Sequence, residues 1–310
     1  MFTGALADAY RFDSEVVSSV ANKKPVRILL SALLLMAVVQ AAAAQPAWMT
    51  YTSGSVQDHQ GNAYFVGFLD SDILPVTAGA FQTKFNGGTC GATEVFGTEQ
   101  PAACRHGFAV KISADGKSVL YATYLESSGD DLAFPVGVDA SGGLFVRVRT
   151  SSTDFPQTSS IDGLPPAAGS PRSYFILELS PDGAHLLFSD SFYFPGVPGV
   201  SDVDATALIP NGNILFGGTT DGTAFPTTPG AYLSARPNVS LDGFVFEWNP
   251  ETNKITHSTL IGGSNQDLLT SLTVDGNGNV CRRLHQFNRF SRYAGGVLQS
   301  GHRLPIPNRE

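Results

Sequence analysis

The chain has 310 residues, rich in Gly (33) and Pro (19), with charged residues at only 15% and a formal net charge of −8. Abundant turn formers beside aromatic and β-branched residues point to an all-β protein and away from a helical or disordered one. Between Gln45 and Val280, Asp and Glu outnumber Lys and Arg by more than two to one, a field that repels phosphate backbones and argues against nucleic acid as a partner.

The first feature in chain order is "NKKPVRILLSALLLMAVVQAAAAQ". Lys23, Lys24 and Arg27 precede an apolar run from Ile28 to Val39, and Ala42, Ala43 and Ala44 follow it. This is the layout of a secretory signal peptide, so residues 1–44 are read as an N-terminal extension plus a signal cleaved after Ala44. The run is shorter than the ~20 residues a membrane helix needs, so no span is expected after cleavage. Asp8, Asp13 and Glu15 do not suit the region before a signal, which places the expected translation start near Val20. The expected destination is secreted, periplasmic or cell-envelope.

From residue 61 onward the chain repeats itself. One phrase, a Gly-led strand, a Ser/Thr/Asp turn and an aromatic or Leu before Pro, reads "GNAYFVGFLDSDILPVTAGAF" from Gly61. It returns as "GGLFVRVRTSSTDFPQTSS" from Gly142 and "GNILFGGTTDGTAFPTTPGAY" from Gly212, and begins again at Gly278. Between copies lies a second phrase with two apolar strands around a tight turn: Ala114-Asp115-Gly116, Pro181-Asp182-Gly183 and Asn249 to Asn253. Such turns between alternating strands mark β-hairpins. An Asp follows each hairpin (Asp131, Asp202, Asp267), and a fourth strand is expected there. Four-stranded units in tandem predict propeller-type blades, each burying its faces against its neighbours.

The first copy contains an insertion, "GGTCGATEVFGTEQPAACRHG", with Cys90 and Cys104. In an exported protein these two form a plausible disulfide; closing so short a loop stabilises by roughly 3 kcal/mol in the chain-entropy model.

The phrases "GNAYFVGF…LPVTAGAFQ", "GFAVKISADGKSVLYATYLESSGDD" and "VDASGG" resemble the bacterial secreted β-propeller repeat, the SBBP or seven-bladed repeat family. The resemblance spans Gly54 to Val280. It is loosest in the second copy, where "SFYFPGVPGVSD" replaces a Gly-rich turn, and it recovers in "TLIGGSNQD". It implies a propeller fold and export, and no reaction, so it carries over no catalytic residue. The domain reading is therefore a propeller repeat region over residues 45–280, holding an incomplete array of about three to four blades.

After Val280 the composition changes. Residues 281–310 carry Arg282, Arg283, Arg289, Arg292, Arg303 and Arg309 against one acidic residue. Plausible codons for Cys281–Val297, read one base later, give "AGGSTNSTDFPVTPGV", the phrase that a fourth copy needs. The tail is thus read as frameshifted and disordered, with further blades missing downstream.

The catalytic inventory is thin. His59, His106, His185 and His257 have no metal-ligand spacing, and "DGNGN" at Asp275–Asn279 lacks the acidic end of a calcium loop. No catalytic, cofactor or metal residue is assigned. The recurring Asp131, Asp202 and Asp267 are read as turn carboxylates bonding nearby backbone amides, rather than as a converging binding set. His106, Arg172 and Asp242 share a blade position but differ in type and are read as surface residues. Phe155-Pro156 and Phe225-Pro226, with Leu74-Pro75 in the first copy, are read as inter-blade packing. These readings favour an exported, non-enzymatic scaffold for a protein or glycan ligand; the alternative is a polysaccharide-active lyase or glycosidase, which needs paired carboxylates on the axial face.

Overall fold

Short runs of β-branched and aromatic residues, bounded by Gly, Asp and Pro turns, fold here into antiparallel sheet. The computed structural model describes residues 46–95, 98–164, 173–193, 202–222, 225–235, 241–263, 265–274, 280–286 and 297–298. The signal segment, Arg172, Asp275–Asn279 and most of the tail lie outside the described residues. The chain divides into two units, Met1–Ala47 and Trp48–Glu310, and the sheets belong to the second. No helix among the described residues is long and apolar enough to cross a membrane.

After a 3-10 turn at Ala47–Tyr51 come β1 (Thr52–Gln57), β2 (Ala63–Leu69), the hairpin β3 (Thr89–Val95) and β4 (Thr98–Ala103), then β5 (His106–Ile112) and β6 (Val119–Leu125). The first sheet has the order β1-β2-β5-β6, with β3-β4 standing apart. The second sheet is built from β7 (Asp131–Val138), β8 (Leu144–Thr150), a two-residue β9 (Ser159–Ser160), β10 (Ser173–Leu179) and β11 (Leu186–Phe192), in the order β7-β8-β10-β11-β9. The third sheet is β12 (Asp202–Leu208), β13 (Ile214–Thr220), β14 (Asp242–Asn249) and β15 (Lys254–Ile261), in that order. A last sheet joins β16 (Asp267–Val274), β17 (Val280–Gln286) and β18 (Val297–Leu298).

The repeating glycines have a local cause. Gly61, Gly142 and Gly212 take φ of 87°, 92° and 84°, left-handed values that other residues adopt at a cost, and each closes the turn between first and second strands. In two of these turns the Asp58 and Asp139 carboxylates accept the amides of the residues two and four positions on. Each first strand also carries a bulge, at Thr52/Gly54, Pro135/Gly137, Val203/Ala205 and Leu269/Ser271.

The Pro phrase covers the last long strand of each of the first three sheets. Two residues after the Pro, Thr77, Thr158 and Thr228 donate their N–H groups to the carbonyls of Ala122, Ser189 and Ser258 on the last strands. Ser189 and Ser258 answer in kind: their amides reach the Thr hydroxyls, and their own hydroxyls reach the carbonyls of Pro156 and Pro226. This pairing blunts an edge that would otherwise template association. Phe155 packs on Phe175 and Phe225 on Phe244, each ring pair 4.7 Å apart.

Apolar residues of both faces meet between sheets. Tyr64, Val66 and Tyr121 of the first sheet cluster with Leu144, Val146 and Leu177 of the second. Phe145, Tyr174 and Phe192 of the second cluster with Phe216, Phe246 and Trp248 of the third. The other face of the first sheet is covered by Trp48, whose ring stands edge-on to Phe65 and Phe108 at 5.9 Å, and by Leu74. Successive sheets approach along their first strands: β7 lies against β1, β12 against β7 and β16 against β12. The last strands β6, β11 and β15 have no comparable approach to one another. Among the described residues the sheets do not close into a ring.

Strand pairing continues past Val280 among the described residues. The region read as a disordered tail begins with β17, paired with β16 from Val274↔Val280 to Asp267↔Gln286, and Val280 and Cys281 also pair with Leu298 and Val297. The physical reason is that a ladder uses main-chain groups, which any non-proline sequence supplies, arginines included.

Candidate functional site

The three recurring carboxylates Asp131, Asp202 and Asp267 each open a first strand, where that strand meets the preceding sheet. The first and third seams bury their Asp, whereas the second leaves it partly open.

At the first seam the polar cluster around Asp131 is enclosed. Asp131 is fully buried; the Ser127 N–H and hydroxyl donate to its two oxygens, each at 2.6 Å. The Asp131 amide donates to the Arg105 carbonyl at 2.7 Å, which fixes the start of β7 against the start of β5. His106 therefore cannot lie on the surface, as its position in sequence suggests; β7 covers it and its exposure is 0%. Its Nδ1 sits 3.4 Å from Glu126 Oε2 and 3.7 Å from Asp131 Oδ2, and its Nε2 is 2.8 Å from the Gly87 carbonyl oxygen. Glu126 Oε1 accepts the Asn86 amide at 2.9 Å, and Phe85 stands edge-on to the imidazole. The Thr150 and Ser152 hydroxyls continue the network from Ser127. Burial alone would lower the His106 pKa, but the nearby Asp131 and Glu126 carboxylates and the Gly87 carbonyl raise it. Burial pushes Glu126 up to about 7 despite the pull of His106. Cys90 and Cys104 are joined in a disulfide beside this cluster, and the Cys104 amide donates to the Gly88 carbonyl at 3.2 Å.

The second seam is partly open. Asp202 takes the Tyr174 hydroxyl on Oδ1 and Arg149 Nη1 on Oδ2, the latter at 3.1 Å. Arg147 is buried; its Nη1 donates to the Val203 carbonyl at 2.6 Å and its guanidinium lies 4.4 Å over the Phe134 ring. Burial lowers the Arg147 pKa to about 10, which leaves it charged at neutral pH. Asp204 is the extra residue of the β12 bulge and is exposed. Crowding around its carboxyl, with the Asp202 charge, raises its pKa to about 6 against the pull of Arg147; solvent on the exposed residue tempers that rise.

The third seam repeats the first in outline. Gly263 donates its amide to Asp267 Oδ2 at 2.6 Å, and the Asp267 amide donates to the Leu241 carbonyl at 2.8 Å. Asp242 takes the place of His106 and, like it, is wholly buried, so the surface reading fails for both and for the same reason. A Cβ on Gly262 would stand 2.1 Å from Asp242 Oδ1, so the Gly is required there.

Asp131 and Asp267 thus accept the amide of the residue four positions earlier. The residue four positions before Asp202 is Pro198, which has no N–H to offer, so this particular bond is not repeated there. The residues that sequence reasoning passed over are Glu126, Arg147, Arg149 and Asp204. The arginines did leave a signal: "LFVRVRT" places two charges where the other copies read "AYFVGFL" and "ILFGGTT". Glu126 left none, since only the fold brings it to His106. Among the described residues no group of three or more His, Cys, Asp or Glu is placed to hold a metal ion.

No family model and no curated protein matches the chain. Among solved structures, a crystal structure of glucose dehydrogenase aligns over 76% of this chain and 82% of its own, with 10% identity and a TM-score of 0.26. A likeness that loose says nothing about function.

Proposed function

We propose that the chain is an exported repeat scaffold of the SBBP type, built from propeller-type blades, which binds a protein or glycan and does not transform it. The observation that carries this reading is the employment of the recurring polar groups. Asp131, His106, Glu126, Asp242 and Asp267 are all at 0–2% exposure and join strand to strand or sheet to sheet. Groups so enclosed stabilise blades and cannot reach a substrate. The approach of successive first strands, without a matching approach of the last strands, supports the propeller-type arrangement. Its inner strands present polar positions to solvent, among them Ser53, Ser55, Gln57 and Asp204. Export and the bacterial repeat family rest on the signal-like N-terminus and the quoted phrases.

One observation favours the enzymatic alternative, a polysaccharide lyase or glycosidase. Asp204 is an exposed carboxyl with a raised pKa beside Asp202, and such a group can serve as a proton donor. The two readings separate experimentally. Purified chain is incubated with a panel of neutral and acidic polysaccharides, and reducing ends and unsaturated products are followed alongside binding by calorimetry. The scaffold reading expects saturable binding without turnover. Turnover lost in Asp204→Asn would replace it with the enzyme reading. Fractionation of the producing cells tests export, and retention of the chain in the cytoplasm with its first 44 residues attached contradicts it.

A further inference from the structure

We infer that His106, Glu126 and Asp131 form a proton-operated clasp, which holds the Cys90–Cys104 insertion against the first sheet while one proton is shared among them and loosens it when that proton leaves. The argument begins with the tautomer. His106 Nε2 faces the Gly87 carbonyl, which can only accept, so Nε2 carries a hydrogen. A neutral His106 then presents a bare Nδ1 lone pair to two carboxylates. Nδ1 and Glu126 Oε2 are both buried, and neither has an aligned hydrogen-bond partner. A lone pair facing two anions in a closed site is repulsive; one proton, on Nδ1 or on Glu126, turns the contact into attraction.

Among the described residues the surroundings bring no substitute cation. The loop before the insertion contributes the Phe85 ring, the Asn86 amide and the Gly87 carbonyl. From β5 come His106 and Arg105, the latter paired outward with Asp130 at 3.0 Å. The end of β6 gives Glu126 and Tyr124, whose hydroxyl donates to Asp72; the Asp72 charge also bears on Glu126. From β7 come Asp131 and Asp130. Negative charge thus dominates around His106, which favours retention of the proton. The raised pKa values of His106 and Glu126 agree in direction.

The clasp has something to release. Glu126 holds the insertion's approach through the Asn86 amide and through Gln82, whose side chain brackets the Glu126 backbone on both sides, while His106 holds Gly87. Both groups bind their proton more tightly in the folded chain. Their stabilisation is therefore complete below the unfolded values and fades as pH rises through the folded ones, about 7 for Glu126.

The test is amide hydrogen exchange of the full chain, read by mass spectrometry over Gln82–Cys104 and corrected for the intrinsic pH dependence of exchange. Between about pH 6 and pH 8 the wild type should lose protection here by roughly tenfold, with other sheet segments changing less. Glu126→Gln, which cannot ionise, should flatten that dependence. A flat wild-type profile, or a Glu126→Gln profile that follows the wild type, overturns the clasp. If Glu126→Gln does not fold, the His106 ring nitrogens are followed by NMR in the wild type. Nδ1 should change environment at the midpoint of the protection loss, and an imidazole signal that stays constant over the range overturns the proposal equally.

Discussion

Asp131 and Asp202 stand at the same place in successive sheets, yet they are different residues physically. Asp131 lies in a closed seam with two short bonds from Ser127, and removing its side chain leaves those donors without an acceptor. Asp131→Ala should cost about 2–4 kcal/mol, the range for charge-assisted bonds lost in a dry site. Asp202 is partly solvated, paired with a half-open Arg149 and bonded by the Tyr174 hydroxyl, so Asp202→Ala should cost about 1–2 kcal/mol, less than Asp131→Ala. Urea unfolding of both variants checks the order, and an equal loss would contradict the distinction. Much of this contrast was legible in the sequence. The recurring Asp and the intruding Pro198 are visible there, and the missing N–H follows from covalent structure alone. The burial of His106 was not legible, because its cover comes from a strand that begins 25 residues later.

Elements repeat more faithfully than residues do. The Thr–Ser lock that covers the outer edge recurs in the second and third sheets, and in reduced form at Thr77 and Ala122 in the first. Thr228→Val should orphan the Ser258 amide and lower stability by about 1–2 kcal/mol. The hairpin turns carry a second constraint. Gly183 has a φ of 73°, and a Cβ there would stand 2.4 Å from the Tyr121 ring of the preceding sheet. Gly183→Ala should therefore cost about 2 kcal/mol or more, combining backbone strain with overpacking. Thermal melts rank these two variants against Gly116→Ala, whose turn has open space and should lose only the strain. The hairpins themselves could be read from turn chemistry and apolar alternation, which are local. What the turn of one sheet touches in the next is long-range, and no spacing in the sequence encodes it.

For the molecule as a whole, the shifted groups set a pH profile. Burial raises Glu126 and Glu178 to about 7 and raises Asp190, while crowding around its carboxyl, with the Asp202 charge, raises Asp204 to about 6; His106 is raised as well. Each binds its proton more tightly when folded, so each contribution fades as pH rises through its folded value, about 6 for Asp204 and about 7 for Glu126 and Glu178. In the other direction, hydrogen bonds outweigh burial and lower Asp58 and Asp130, while the Ser128 amide holds Asp154 down. Their contributions fail as pH falls below their usual value of 3.8. The melting temperature should peak near about pH 5 and decline toward pH 8; a steady rise over that interval would contradict the assignment of these groups. The all-β character and the repeating unit were legible because turns and two-residue periodicity are local. The approach of successive sheets was legible only as an expectation from blades that need neighbours.

That approach is the premise of the scaffold reading, and it can be measured as a pair of distances. Spin labels are placed on the exposed first-strand positions Ser55 and Asp204, and in a second sample on the exposed last-strand positions Leu120 and Thr256. Cys281→Ser in both samples leaves only the introduced thiols to react. Double electron–electron resonance then compares the first and third sheets at their two edges. Propeller-type blades require the Ser55–Asp204 distance to be clearly shorter than the Leu120–Thr256 distance; equal distances, or the reverse order, would contradict the arrangement on which the proposed function stands.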